Sequence, residues 1–250
     1  MGVHGFAGWV AEFEGEKAGR AATPEPEWGR GADLPAALCR SLQKFQVGED
    51  GDGANLIAKA DRAGDPGYSA AVRLFVDEER NHARLLAELL GAAGVPLLDG
   101  HWTDALFVRA RRLLGLRTEL MVLMVAELVA VEYYGKVRDG VADPLARDVA
   151  ARILRDERRH IPFHVLRLRQ SPAGRAAPFQ LFAVLVWRLL VPVAAVFVAV
   201  DHGPALHAVR ASRVGFVLAV LRRASAVAAE LSGKGDRATA PVTAPEPAGE

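Results

Sequence analysis

The chain has 250 residues, of which 51% are hydrophobic and 24% charged, so it is long enough to bury a core in one domain with an appendage. Its formal net charge of +1 argues against a general polyanion binder, and we expect no nucleic-acid partner. The single cysteine, Cys39, excludes an internal disulfide framework and suits a reducing compartment. Because the N-terminal sequence carries no secretory signal, we expect a cytoplasmic protein.

Helical periodicity runs through most of the chain. Residues 1–32 are rich in Gly, Pro and Glu and are predicted to be a mobile lead-in, and residues 233–250 are predicted to be a disordered tail. No alternating β-branched runs are bounded by turns, so we predict an all-α protein. The predicted helices are 34–62, 66–92, 104–139 with a break near Gly115, 144–170, 177–200 and 204–231.

Two of the predicted turns contain the same Asp-Pro sequence. "AGDPG" at 63–67 and "VADPL" at 141–145 each place Asp before Pro. Asp is a favoured N-cap and Pro is favoured at the first helical position. We therefore predict that Asp65 and Asp143 cap the helices that follow, and that each turn joins two helices into a hairpin.

The two hairpins repeat each other at an offset of 78 residues. Each has a Glu on its first helix and the pattern Glu-x-x-His on its second. The matching pairs are Glu49 and Glu127, Asp65 and Asp143, Pro66 and Pro144, Glu79 and Glu157, Arg80 and Arg158, and His82 and His160. This repeat predicts a four-helix bundle over residues 33–172.

The repeated motifs predict a metal site in the middle of that bundle. Glu79 and Glu157 each lie 14 residues beyond the capping Asp, which is about 21 Å along a helix. Residues at i and i+3 share a helix face, so Glu and His can reach one point. Four buried carboxylates without a cation would be strongly unfavourable, and two iron or manganese ions would neutralise them. The predicted ligands are Glu49, Glu79, His82, Glu127, Glu157 and His160.

Neighbouring residues leave several alternatives open. Glu132 competes with Glu127, but its counterpart in the repeat, position 54, is Ala. Tyr134 lies two turns beyond Glu127 and could relay single electrons or simply pack in the core. His164 lies one turn beyond His160 and could be an extra ligand, a proton carrier or a packed side chain. Glu119 is predicted to be a solvated surface charge.

These motifs, "EERNH" at 78–82 and "DERRH" at 156–160 with Glu49 and Glu127, resemble the ferritin-like superfamily of carboxylate-bridged di-iron proteins. The stretch 40–56 also resembles bacterial ferritin-like proteins of unknown activity. The resemblance covers residues 34–170. It implies a ferritin-like bundle with two iron ions, or manganese or a mixed pair. It also implies that Glu78 and Asp156 each hydrogen-bond the histidine of the opposite hairpin.

An apolar stretch follows the bundle. Residues 179–200 contain one charged residue, Arg188, and the next helix sets arginines against an apolar stripe. We predict that residues 173–232 form helices packed on the bundle or on a membrane surface. Peripheral membrane contact through 179–231 and a homodimer both stay open at this point.

The resemblance implies an oxidoreductase that uses O2 to oxidise a small, apolar organic substrate. A separate electron-donor protein is expected, because no flavin, nicotinamide or iron–sulfur motif appears in the sequence. The alternatives are an iron-handling protein with ferroxidase or storage activity, and a non-enzymatic metal-binding bundle. Hydroxylation, desaturation and other oxidations are not distinguished by the residues.

Overall fold

The structure is a computed structural model that describes residues 5–100, 115–170 and 177–231. All regular elements within these ranges are helical, which confirms the all-α prediction. The helices are α1 Phe6–Ala22, α2 Ala36–Glu49, α3 Ala54–Arg62, α4 Pro66–Ala92, α5 Leu116–Gly140, α6 Pro144–Gln170, α7 Ala177–Asp201, α8 Gly203–Ala208 and α9 Arg213–Leu231, with a 3-10 turn at Trp28–Arg30.

Two hairpins form the body of the molecule. Helix α2 packs against α4, α5 packs against α6, and α4 packs against α6. The predicted helices 66–92 and 144–170 are confirmed at both ends. The predicted caps are confirmed as well, since Asp65 Oδ1 accepts from Tyr68 N at 3.0 Å and Asp143 Oδ1 accepts from Ala146 N at 2.8 Å.

The first predicted helix, 34–62, is interrupted at residues 50–53. Helix α2 ends at Glu49, and α3 begins after Gly53, whose φ is 63°. A Cβ at Gly53 would lie 2.5 Å from a methyl carbon of Val76, so the chain can pass this point only with glycine. The break therefore places Glu49 at a helix end.

The prediction of a mobile lead-in over residues 1–32 is wrong for most of that segment. Residues 6–22 form α1, which packs against α4 and buries Phe6, Trp9 and Phe13. These three rings contact Phe163 of α6 at centroid distances of 5.2–6.2 Å. The burial of these aromatic rings fixes α1 on the bundle, although the segment as a whole is rich in Gly and Glu.

The C-terminal helices pack on both hairpins, with α7 and α9 against the second hairpin and α8 mainly against α2. Helix α7 contacts α5 and α9, and Trp187 Nε1 donates to the carbonyl of Met121 at 2.8 Å. The predicted helix 204–231 is divided into α8 and α9 around Arg210, whose φ is 56°. In the described ranges, no helix is both long and apolar enough to cross a membrane. The predicted helical segment 104–114 and the predicted tail 233–250 lie outside the described residues.

Candidate metal centre

All six predicted ligands converge between α2, α4, α5 and α6. Helix α2 supplies Glu49 from its last residue, α5 supplies Glu127 from its middle, and α4 and α6 each supply one Glu-x-x-His pair. We call these residues the six-residue cluster: Glu49, Glu79, His82, Glu127, Glu157 and His160. Both histidines are fully buried, and Glu79, with 20% of its side chain exposed, is the most accessible member.

The cluster divides into two overlapping groups of donors. In each group, one donor atom per residue lies within 4.8 Å of all the others. One group contains Glu49, Glu79, His82 and Glu157, and the other contains Glu79, Glu127 and His160. Two positions therefore exist at which carboxylate oxygens and an imidazole nitrogen could surround one ion.

Glu79 and Glu157 lie between the two histidines. Glu79 Oε1 lies 3.6 Å from His82 Nδ1 and 3.2 Å from His160 Nδ1. The oxygens of Glu157 lie 3.3 Å and 3.7 Å from the same two nitrogens. Both carboxylates thus lie between the two histidines, but only Glu79 belongs to both donor groups, whereas Glu49 and Glu127 each belong to one.

The unpaired polar atoms of this cluster fit a cation. Glu79 Oε1, His82 Nδ1 and Glu157 Oε2 are buried without a hydrogen-bond partner among the described residues. Buried polar atoms are normally paired, because leaving one unpaired costs about 1–3 kcal/mol. Carboxylate oxygens and imidazole nitrogens are also the donors that iron and manganese accept.

Two outer carboxylates, Glu78 and Asp156, hold the histidine rings. His82 Nε2 lies 3.3 Å from Asp156, and His160 Nε2 lies 3.1 Å from Glu78. Each carboxylate contacts the histidine of the other hairpin, as the family resemblance implies. A proton on Nε2 directs the lone pair of Nδ1 into the cluster, which is the tautomer a metal ligand requires.

Two arginines that the sequence reading missed close this arrangement from outside. Arg20 of α1 lies 2.5 Å from Glu78 and 3.5 Å from Asp156. Arg159 of α6 lies 3.1 Å from Glu78 and 2.6 Å from Asp156. The position of Arg159, three residues after Asp156, could have indicated its pairing, but no local pattern connects Arg20 to residues 58 and 136 positions away.

The acidic members of the cluster do not all ionise easily without a metal. Burial, and then the charge of Glu157, raise the pKa of Glu49 to about 7. Burial, together with Glu49 and Glu127, raises the pKa of Glu79 well above its usual value. Burial opposes ionisation of Glu127 as well, yet His160 holds its pKa below the usual range.

Both histidines carry protons readily in this environment. Burial disfavours the charged ring of His82, but Asp156 and Glu157 raise its pKa well above the usual value. Burial likewise opposes the charge on His160, and Glu127 outweighs it and raises the pKa. Protons therefore balance the carboxylates of the metal-free protein, and a bound cation must displace them.

Tyr134 contacts the cluster directly. Its hydroxyl donates to Glu49 Oε1 at 3.0 Å, and its ring lies 5.5 Å from that of Tyr133. Tyr133 continues into a buried network, in which Ser41 Oγ lies 2.5 Å from Tyr133 Oη and 2.7 Å from His202 Nδ1. Tyr134 therefore does more than pack in the core, because its hydroxyl orients a carboxylate of the six-residue cluster.

His164 and Glu132 have different positions. His164 is fully buried, and its Nε2 lies 3.8 Å from Glu127 Oε1, outside both groups of donors. Burial lowers the pKa of His164, so its ring is neutral in the fold. Glu132 accepts from Arg223 of α9 at 2.8 Å and lies outside the cluster.

The expectation of a solvated Glu119 is wrong. This side chain is fully buried, lies 2.6 Å from Lys59 Nζ and accepts from Asn55 Nδ2 with both oxygens, at 3.1 and 3.2 Å. The pair joins α3 to α5. The position of Glu119 along α5 does not indicate this pairing, because its partners Lys59 and Asn55 lie on α3, which begins after the break at 50–53.

Comparison with protein-family models and with curated protein sequences gives no match. The chemistry of the site is therefore argued from its own residues.

Proposed function

We propose that the chain is a dinuclear metal protein of the ferritin-like type, and that its function is O2-dependent oxidation of a small organic substrate with two iron ions. The observation that carries this proposal is the convergence of four carboxylates and two imidazoles on two overlapping donor groups. The buried atoms of Glu79, His82 and Glu157 that lack a hydrogen-bond partner also support a cation at this place.

The residues divide the work of holding two ions. Glu49, His82 and Glu157 would hold one ion, Glu127 and His160 would hold the other, and Glu79 belongs to both donor groups. When bound, such a pair of ions supplies the electrons that reduce O2 and positions it for reaction. Manganese, or one ion of each metal, satisfies the same donors.

The surrounding residues keep water away and control protons. Phe75 packs edge-on against the His160 ring at a centroid distance of 4.6 Å, and Phe13 lies 6.4 Å from the same ring. Tyr134 donates its hydroxyl to Glu49, and His164 is a neutral base beside Glu127. Electrons for repeated turnover would come from a separate donor protein.

A second candidate, iron oxidation in the service of iron handling, has one observation in its favour. Glu79 keeps 20% of its side chain exposed, and the neighbouring residues Asp50 and Asp52 are exposed as well. Small ions and O2 could reach the cluster there.

The experiment that tests the proposal is anaerobic loading with Fe(II) followed by exposure to O2. O2 consumption and the formation of ferric iron are measured together. A resident cofactor predicts that oxidation stops at two Fe(II) per chain and resumes only when a reductant is added. Oxidation that continues with each further addition of Fe(II) would favour iron handling instead.

The Glu157→Ala variant provides the matched control. We expect it to bind one ion or fewer per chain, because Glu157 contacts both histidines. Two ions per chain in this variant would contradict the ligand assignment. A wild-type protein that stays folded but neither binds Fe(II) nor gains stability from it would favour a non-enzymatic bundle.

A further inference from the structure

Helix α7 has two apolar faces, and the bundle covers one of them. Trp187, Val191, Ala195 and Ala199 are buried, with exposures of 0–4%. The opposite face leaves its large aliphatic and aromatic side chains 36–69% exposed. We call it the α7 outer face; its residues are Leu185, Val186, Leu189, Leu190, Val193, Val196, Phe197 and Val200.

The α7 outer face is continuous and uncharged. At about 100° per residue, its eight side chains lie within an arc of about 140° centred on Val193. Arg188, the one charged residue between 185 and 200, lies about 140° from that centre on the same helical projection. An apolar arc of this width is typical of a helix that packs into a core.

The exposed area is too large for an ordinary monomer surface. The exposed fractions correspond to roughly 700 Å² of apolar surface, whereas the largest patch on a typical monomer is about 300–600 Å². A stable protein interface buries about 800 Å² on each partner. The α7 outer face by itself therefore approaches the area of one half of such an interface.

The spacing of the face fits another helix of the same kind. Val186, Leu189, Val193, Val196 and Val200 follow steps of three, four, three and four residues, as in the seam between two packed helices. Valine side chains have few rotamers to lose on burial, which favours a rigid protein partner. A helix that lies on a membrane would instead combine its apolar face with many lysines or arginines.

We propose that the α7 outer face binds the same face of a second copy of this chain and forms a twofold-symmetric dimer. A twofold interface brings the same patch of both copies together, and an uncharged apolar patch can meet its own copy without opposing like charges. This proposal is independent of the metal centre, so either one can fail without the other.

The test is the mass of the purified full chain in solution, measured by light scattering at micromolar concentration. We expect a dimer for the wild type. The double variant Leu189→Glu and Val193→Glu should weaken dimerisation at least tenfold, because it buries like charges opposite each other. The matched control is Leu97→Glu, which changes an exposed leucine (47%) away from α7 and should leave the dimer intact.

A second variant protects the test against misfolding. Val193→Cys places a thiol at the centre of the face, where a short bis-maleimide should join two chains, while Cys39 is buried. Three results would overturn the proposal. They are a monomeric wild type, a dimer that survives the double glutamate variant without cross-linking at position 193, and a monomer that co-sediments with phosphatidylcholine–phosphatidylglycerol vesicles through this face.

Discussion

The first hairpin, α2–α3 with α4, and the second hairpin, α5 with α6, contribute the same three kinds of donor, but in different surroundings. Glu49 ends a helix beside the break at 50–53, whereas its counterpart Glu127 lies in the middle of an unbroken helix. Glu79 keeps 20% of its side chain exposed, and its counterpart Glu157 keeps 2%. The first hairpin thus forms the accessible side of the cluster and the second forms the enclosed side.

The second hairpin also carries groups that the first one lacks. Tyr134 corresponds to Leu56 and His164 corresponds to Leu86 at the offset of 78 residues. Tyr134 donates to Glu49 across the bundle, while His164 lies beside Glu127. The repeat therefore gives the two hairpins matching sets of candidate metal donors. The differences between its halves make the cluster asymmetric, with solvent access from the first hairpin and proton-handling groups on the second.

The largest effect should follow loss of the donor that both groups share. We expect Glu79→Ala to bind no ion firmly, because Glu79 belongs to both groups. Glu49→Ala and Glu127→Ala should each keep one ion, since each belongs to one group. Metal analysis after anaerobic Fe(II) loading and dialysis measures this. Equal loss in all three variants would show that the two positions are not separable.

Removing the link between the broken helix and the second hairpin should cost stability. Glu119→Ala removes the carboxylate that lies 2.6 Å from Lys59 Nζ, where the lysine side chain is 11% exposed. Loss of one partner of a buried ion pair typically costs about 3–5 kcal/mol, and we expect about 3 kcal/mol in urea unfolding. The exposed Glu88→Ala on α4 is the control and should change the free energy of unfolding by less than about 0.5 kcal/mol. Equal changes in the free energy of unfolding in Glu119→Ala and Glu88→Ala would mean that the pair of Glu119 and Lys59 adds no stability.

The break itself can be tested at Gly53. Gly53→Ala introduces a Cβ that would lie 2.5 Å from Val76, at a φ of 63° that side chains rarely adopt. We expect a loss of about 2 kcal/mol in the free energy of unfolding, because strain at such positions costs about 1–3 kcal/mol. At Gly51 a Cβ meets nothing within 4 Å, so Gly51→Ala should be close to neutral. An unchanged free energy of unfolding in Gly53→Ala would imply that the helix continues through residues 50–53.

The outer arginine should affect affinity more weakly than the donors do. Arg20→Ala removes a cation from Glu78 and Asp156, which hold the two histidines. Outer partners of metal ligands change affinity by about 10–100-fold, and we expect about tenfold weaker Fe(II) binding by calorimetry. Lys17, on the same helix as Arg20, forms an exposed pair with Asp77 of α4, and Lys17→Ala is the control, with unchanged affinity. If Arg20→Ala binds Fe(II) as tightly as the wild type, α1 contributes to packing and not to the affinity for the metal.

The smallest effect concerns the dependence of stability on pH. The raised pKa values of Glu49, His82 and His160 mean that the metal-free fold holds more protons than the unfolded chain above about pH 4.5. Its stability should therefore fall as the pH rises from 6 to 8. We expect a decrease of a few degrees in Tm, and addition of Fe(II) without oxygen should remove it. A metal-free Tm that rises across this interval would contradict the protonation described here.

The parts of the molecule that repeat were predictable from the sequence. Hydrophobic periodicity and the Asp-Pro caps define helices 66–92 and 144–170, because both signals act within a few residues. The offset of 78 residues is enough to predict that all six donors lie at one level of the bundle. Their convergence follows from helix geometry, since equal distances from two capped turns give equal heights.

The parts that depend on contacts between distant segments were not predictable. Helix α1 is fixed by rings that pack on α6, and Arg20 finds its partners only after that packing. Glu119 looks like a surface charge along its own helix, because Lys59 and Asn55 reach it from α3. The break before α3 falls among Gly48, Gly51 and Gly53, a local pattern that favours an irregular helix, but the close approach of Val76 to Gly53 comes from α4.

The most direct measurement is anomalous diffraction at the iron edge from crystals loaded anaerobically with Fe(II). Two peaks are expected inside the six-residue cluster, about 3.5–4 Å apart. One peak should lie beside His82 Nδ1 and the other beside His160 Nδ1. Peaks at the surface only, or a cluster that stays free of iron while the protein is folded, would contradict this expectation.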